Sequence, residues 1–155
     1  MFRRQFPILL SAFALLITGP ALASVNGTRD EAVAMVEDVL DMFAAEGADA
    51  TFAAISDLEN PRFRDRDLYP FVYKFDGHNV AHGAKPQLVG KNLISLKDQG
   101  GKLLIEEMVK VAQAGSTGWV DYKWPNPTTD KIEDKTSYIA PLGDGYFVGV
   151  GVYKD

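Results

Sequence analysis

The chain has 155 residues, 46% hydrophobic, 24% charged and 11% aromatic, with 16 Lys plus Arg against 21 Asp plus Glu. This ordinary globular composition excludes disordered, collagen-like and low-complexity classes, and a formal charge of −5 gives no electrostatic footprint for nucleic acid. With no cysteine and only His78 and His82, disulfides, thiolate catalysis, Cys-ligated zinc, iron–sulfur clusters and multi-histidine metal sites are excluded as well.

The chain opens as a secretory signal. Arg3 and Arg4 give a short basic start, Ile8 to Ile17 an apolar core, Gly19-Pro20 a break, and Ala21-Leu22-Ala23 the small residues of a cleavage site. The apolar stretch is about ten residues, half of what a membrane-spanning helix needs. We therefore expect cleavage after Ala23. The mature chain would keep 155 − 23 = 132 residues as one domain, 24–155, with a charge of −5 − 2 = −7. No later segment is apolar enough to span a bilayer, and without cysteine no lipid attaches at the new terminus. The expected product is a soluble periplasmic protein.

Thr28 with Glu31 three residues later reads as a capping box, and Val33, Val36, Val39 or Leu40, and Phe43 follow at helical spacing. Gly47 is the expected stop. A second short helix is expected over Asp49 to Ile55, ended by Asn60-Pro61. Leu68 to Phe75 alternates Tyr69, Phe71, Tyr73 and Phe75 with Pro70, Val72 and Lys74, which predicts a strand that Pro70 places at an edge or a strand start. Asp76-Gly77 is a turn and Asn79 to His82 the return strand. Gly83 to Asn92 is a loop. Lys102 to Ala114 is an amphipathic helix with Leu104, Ile105, Met108, Val109 and Ala112 on one face. Three strands close the chain, over Trp119 to Trp124, Lys131 to Ala140 and Tyr146 to Tyr153, joined through Pro125-Asn126-Pro127 and Gly143-Asp144-Gly145. The fold class is α+β: one antiparallel sheet of about five strands with helices covering it.

The residues carry no hydrolase elbow, no H-E-x-x-H, no EF-hand loop and no phosphate-binding loop. Ser137, His82 and some aspartate could be assembled into a triad, but any chain of this size offers such a trio. Asp76-Gly77-His78 is a hairpin turn before it is a metal site. Aromatic density stands out instead: Trp119, Tyr122 and Trp124 lie within six residues, with Tyr73, Tyr138, Tyr146 and Tyr153 on the other strands. Tyr122 and Trp124 share one strand face and Trp119 takes the other. Core packing explains aromatics in strands, yet polar-tipped rings also orient small ligands. Lys135 sits inside a strand, where a solvent-facing lysine is the ordinary case.

Several segments in order carry a resemblance. Asp67 to Gly77 is followed by Ala81-His82-Gly83-Ala84-Lys85-Pro86-Gln87-Leu88-Val89-Gly90-Lys91-Asn92. Gly118-Trp119-Val120-Asp121-Tyr122-Lys123-Trp124-Pro125-Asn126-Pro127, Lys135-Thr136-Ser137-Tyr138 and Val148-Gly149-Val150-Gly151-Val152-Tyr153 come after it. Over nearly all of the mature chain this resembles the single Cache domain family, type 2. The resemblance implies a PAS-like Cache fold, with a long N-terminal helix, a five-stranded antiparallel sheet and a pocket between the sheet and the loop-helix segment. It also implies a sensor, not an enzyme, for small organic acids such as acetate, propionate, pyruvate or lactate, with no cofactor or metal. The chain ends after the last strand, so signalling would pass through a partner: a membrane histidine kinase, a chemoreceptor or a transporter.

On this reading Lys135 is the charge partner of the carboxylate. Tyr73, His82 and Tyr122 are hydrogen-bonding neighbours, Trp119 or Trp124 an apolar wall, and Tyr138 a further candidate. The loop over Gly83 to Asp98 is the expected lid. Two other readings stand beside it: an interaction subunit docking on a membrane kinase, chemoreceptor or transporter without an essential ligand, and an enzyme turning over a small acid or ester.

Overall fold

A reciprocal cap starts the first helix. The Thr28 hydroxyl accepts the Glu31 N–H at 3.3 Å, and the Glu31 carboxylate accepts the Thr28 N–H at 2.7 Å. From there α1 (Arg29–Ser56) buries Ala32, Val36, Val39 and Met42 along one stripe. Gly47 breaks it with φ 82° and ψ 179°, so α1 is two helices joined at a kink, as the glycine stop and the second helix predict. Thr51 bridges the kink by donating its hydroxyl to the Gly47 carbonyl at 2.8 Å. The computed structural model describes residues 25–154; the expected signal peptide lies outside the described residues.

Five strands follow, β1 (Pro70–Lys74), β2 (Asn79–His82), β3 (Gly118–Pro125), β4 (Ile132–Leu142) and β5 (Tyr146–Tyr153), with α2 (Leu104–Gln113) between β2 and β3. They form one antiparallel sheet in the order β2-β1-β5-β4-β3. Pro70 begins β1, where its missing N–H is tolerated, but β1 is an inner strand between β2 and β5. The free edge of β2 is sealed by the following loop. The Asn79 N–H donates to Lys91, and the Asn79 carbonyl accepts from Gly90.

Helices cover both faces of the sheet, so it has two cores. On one face Val72, Ala140, Leu142, Val148, Val150 and Val152 pack with the buried stripe of α1. On the other, Tyr69, Phe71, Tyr73, Val120, Tyr122, Ile139 and Phe147 pack with Leu104, Ile105, Met108, Val109 and Ala112 of α2. Strand alternation divides the expected site residues between these faces. Trp119 and Tyr138 lie with the α1 core, their rings 5.4 Å apart and the Arg29 guanidinium 4.6 Å from the Trp119 ring centre. They are therefore separated by the sheet from Tyr73, His82, Tyr122 and Trp124, because Trp119 and Tyr138 face each other in register one step out of phase with Tyr122 and Lys135.

Candidate functional site

Lys135 pairs across β4 with Tyr122 of β3 and Tyr153 of β5, which turns its side chain to the α2 face. The stem crosses β5 over Gly151, where a side chain at Gly151 would place its Cβ 2.6 Å from Lys135 Cε. Glycine there is what allows the lysine to lie flat on the sheet. Its neighbour Gly149 does the same for the Phe71 ring. The side-chain nitrogen ends at Tyr69, just before β1, donating to the hydroxyl at 2.8 Å. Only 1% of Lys135 is exposed.

Rings form the cage around that nitrogen. It lies 4.0 Å from the centre of Tyr69, 4.7 Å from Tyr153 and 5.9 Å from Phe71. The hydroxyls run in one direction. Tyr153 donates to the Pro125 carbonyl at 2.8 Å, so across the 3.1 Å contact Tyr69 must donate to Tyr153, which leaves the Tyr69 oxygen to accept from Lys135. The Asn126 side chain holds the Trp-Pro-Asn-Pro turn that presents this carbonyl, accepting from the Thr128 N–H and hydroxyl. Burial pushes the Tyr69, Tyr122 and Tyr153 hydroxyls above their ordinary range, so all three stay neutral donors. Tyr122 shares a 2.8 Å hydrogen bond with Ser137.

Among the described residues no carboxylate lies within ion-pair distance of Lys135. Burial drives its amine well below the ordinary lysine range; the field of Asp67 acts against this and that of Lys85 with it. Asp67 is itself fully buried, with one oxygen accepting the Gly27 N–H at 2.6 Å and the other without a partner.

His82 closes the far side. Its Nδ1 accepts from the backbone N–H groups of Ala84 at 3.2 Å and Lys85 at 3.0 Å, so the neutral ring carries its proton on Nε2. Burial lowers its pKa to about 3, helped by the fields of Lys135 and Lys85. The ring stacks on Tyr69 at 5.3 Å and faces Trp124 at 6.4 Å, and the Lys85 ammonium lies 5.5 Å from the Trp124 ring centre.

Between these groups and α2 is a narrow cavity of about 10 Å³, the threshold for one water molecule. Phe71, Tyr73, His82, Tyr122 and Trp124 line it from the sheet, and Leu104, Ile105 and Met108 from α2. Lys135 is not part of this lining; its nitrogen lies 5.9 Å from the centre of the Phe71 ring, which is. A larger groove of about 210 Å³ borders Tyr122 and Lys135, but its exposed charges pair with one another, Lys123 with Asp134 at 2.6 Å and Lys154 with Asp121 at 2.9 Å. Of the two, the apolar cavity gathers more of the expected residues, Tyr73, His82, Tyr122 and Trp124 against Tyr122 and Lys135.

A family model for the Cache domain matches residues 34–155. The chain belongs to the Cache domain family. Its sequence is 40% identical over 91 residues to the sensor histidine kinase MctS of Rhizobium johnstonii, covering 58% of this chain and 20% of that one. The chain thus spans about a fifth of the length of that curated relative. A methyl-accepting chemotaxis protein of Vibrio parahaemolyticus shares the fold with a TM-score of 0.69 and 25% identity, over 82% of this chain and 88% of that one. A Cache chemosensory domain studied for carboxylic acid recognition matches with a TM-score of 0.62 and 25% identity, over 81% and 88%. The long N-terminal helix and five-stranded antiparallel sheet match those of these Cache sensor domains.

In this Cache domain the structure brings Tyr73, His82, Tyr122 and Trp124 to one cavity, places Lys135 outside its lining and on the larger groove, and leaves Trp119 and Tyr138 on the opposite face. Three polar groups near the lysine are absent from the expected set: Tyr69, Tyr153 and Asp67. Tyr69 was accessible from the alternation it shares with Phe71 and Tyr73. Tyr153 pairs with Lys135 only through the β4–β5 register, and no sequence signal marks Asp67.

Proposed function

We propose that this Cache domain is an extracytoplasmic sensor or capture module for small carboxylates, with Lys135 supplying the charge that neutralises the ligand. The observation that carries the reading is a fully buried lysine nitrogen with one hydrogen bond, caged by aromatic rings and neutral hydroxyls, beside an apolar cavity. A buried cation without an anion is costly, and a carboxylate is the group that would relieve it. His82 Nε2–H and the Tyr73 and Tyr122 hydroxyls are the further donors, and Trp124 is the wall. Acetate, propionate, pyruvate and lactate are the candidate ligands. The carboxylic acid recognition of the related Cache chemosensory domain supports that class. A ligand of about six heavy atoms has a ceiling near −9 kcal/mol, so affinity is no tighter than about sub-micromolar.

The Arg-Arg start and the small-residue site at Ala23 support export, and no described helix is long and apolar enough to cross a membrane. Kinship with a sensor histidine kinase and a chemotaxis receptor supports a signalling partner of that kind. Thermal melts of the purified protein against these acids and a set of amino acids test the reading. One carboxylate class should raise the melting temperature, by about 2.7 kcal/mol of stabilisation at a hundredfold excess over Kd. No shift with any acid at millimolar concentration would overturn it.

A further inference from the structure

Among the described residues, Lys135 has no anion within ion-pair distance. An ammonium has three N–H donors, and the cage offers one oxygen, that of Tyr69. The remaining directions meet the rings of Tyr69, Tyr153 and Phe71, whose faces attract an ammonium but give its N–H groups no oxygen acceptor. The hydroxyls of Tyr69 and Tyr153 are already committed to one another and to Pro125, and Tyr122 shares a hydrogen bond with Ser137. The facing side of α2 carries only Leu104, Ile105, Met108, Val109 and Ala112. Two positively charged or proton-accepting groups stand near: Lys85 over Trp124, and His82, whose Nδ1 is occupied by backbone N–H groups. The one acid whose field reaches Lys135 is Asp67, beyond ion-pair distance and bonded to Gly27.

We propose that ligand capture here is coupled to proton uptake. The empty site rests with Lys135 as a neutral amine, and each carboxylate anion enters together with one proton from solvent. This rests on the carboxylate-sensor reading and adds its regulation. The balance is simple: one anion and one proton join one amine, the Nζ lone pair takes the proton, and an ammonium–carboxylate pair results. No bond in the ligand changes. The amine form keeps the observed geometry, since one N–H still reaches Tyr69 and the lone pair needs no donor. The anion then supplies the acceptors that the ammonium lacks in the empty cage. The consequence is that the sensor reads acidity and ligand as a product. Between the amine's pKa in the empty site and its higher value in the complex, Kd rises about tenfold per pH unit.

Two measurements on the purified protein separate this proposal from the reading beneath it. Lysine side-chain NMR with ¹³Cε and ¹⁵Nζ labels, with Lys135 assigned by its contacts to the Tyr69 and Tyr153 rings, should show a neutral amine at pH 7.5 without ligand. An ammonium there overturns the proposal and leaves carboxylate binding standing. Calorimetric titration with sodium acetate, propionate, pyruvate and lactate, each in phosphate and in Tris, then counts protons through the difference in buffer ionisation heat. Uptake of about one proton per bound anion supports the proposal, and binding without net uptake overturns it. An amine signal with no heat from any of the four acids overturns the carboxylate reading, and proton-coupled capture with it.

Discussion

Lys135 gives up hydration for a single hydrogen bond and ring faces, and that exchange sets its behaviour under mutation. Met keeps the stem's contacts and removes the buried amine. Lys135→Met should therefore stabilise the ligand-free protein by about 1–3 kcal/mol while abolishing the thermal response to carboxylates. A melt in which the variant loses stability would mean that the lysine holds the fold together. His82 gives a prediction with a defined pH window. Its folded pKa, lowered to about 3, lies below the free imidazole value, so between these limits the unfolded chain binds a proton that the folded one refuses. Stability contributed by neutral His82 is thus complete above pH 6.5 and is lost as pH falls towards 3, at up to about 1.4 kcal/mol per pH unit. His82→Asn keeps an acceptor for the two backbone N–H groups and removes the titration. Urea melts at pH 7 and 4.5 should show a smaller acid loss in the variant than in the parent. Both residues were legible in the sequence through the pattern around them. The Trp119 and Tyr138 assignments followed ring density in preference to strand parity, and parity decides which side of a sheet a ring occupies.

At the scale of elements, glycines decide more than propensity does. Gly47 has nothing within 4 Å of the place where a Cβ would sit, yet its φ of 82° and ψ of 179° lie in a region that is essentially glycine's alone. Gly47→Ala should then cost about 1–3 kcal/mol, although the same change in a regular helix stabilises. Circular dichroism melts distinguish the two cases, and a gain in stability would mean that the kink is dispensable. Gly151 is the opposite case, with ordinary backbone and no space. A methyl there meets Ser137 Oγ, Lys135 Cε and the Thr136 carbonyl. Gly151→Ala should destabilise by about 1–3 kcal/mol through overpacking and also weaken carboxylate binding, because the lysine stem is displaced. The helices and strands themselves were readable from caps, periodicity and turns, to within a residue or two at most ends. The kink at Gly47 was readable because glycine both stops a helix and permits the turn that restarts one. The role of Gly151 was not readable, since it depends on which side chain of a neighbouring strand crosses above it.

For the whole molecule, the sheet separates a face closed by a long helix from a face closed by a short one. Its α1 face is closed by a 28-residue element seated on β5, β4, β2 and β1. Its other face is closed by the ten-residue α2, whose first turn begins at Leu103 with no side-chain cap. A cavity at the size of one water cannot take a carboxylate of four to six heavy atoms, so one wall has to give way. The sheet wall is held by ladder hydrogen bonds, on both sides of β1 and on one side of the edge strands β2 and β3. The 83–98 segment expected as a lid is stitched to the β1–β2 hairpin at Asn79 with Lys91 and at Leu93 with Gly77. That leaves α2 as the wall with the least holding it, through Leu104, Ile105 and Met108 over the cavity. Ligand entry should then order α2 and the segment leading into it. Hydrogen exchange read by mass spectrometry, with and without saturating propionate, should slow across 103–116 and stay unchanged across 29–46. Slowing confined to 29–46 would place the moving wall on the α1 side and would require the anion to enter from the face that holds Trp119 and Tyr138.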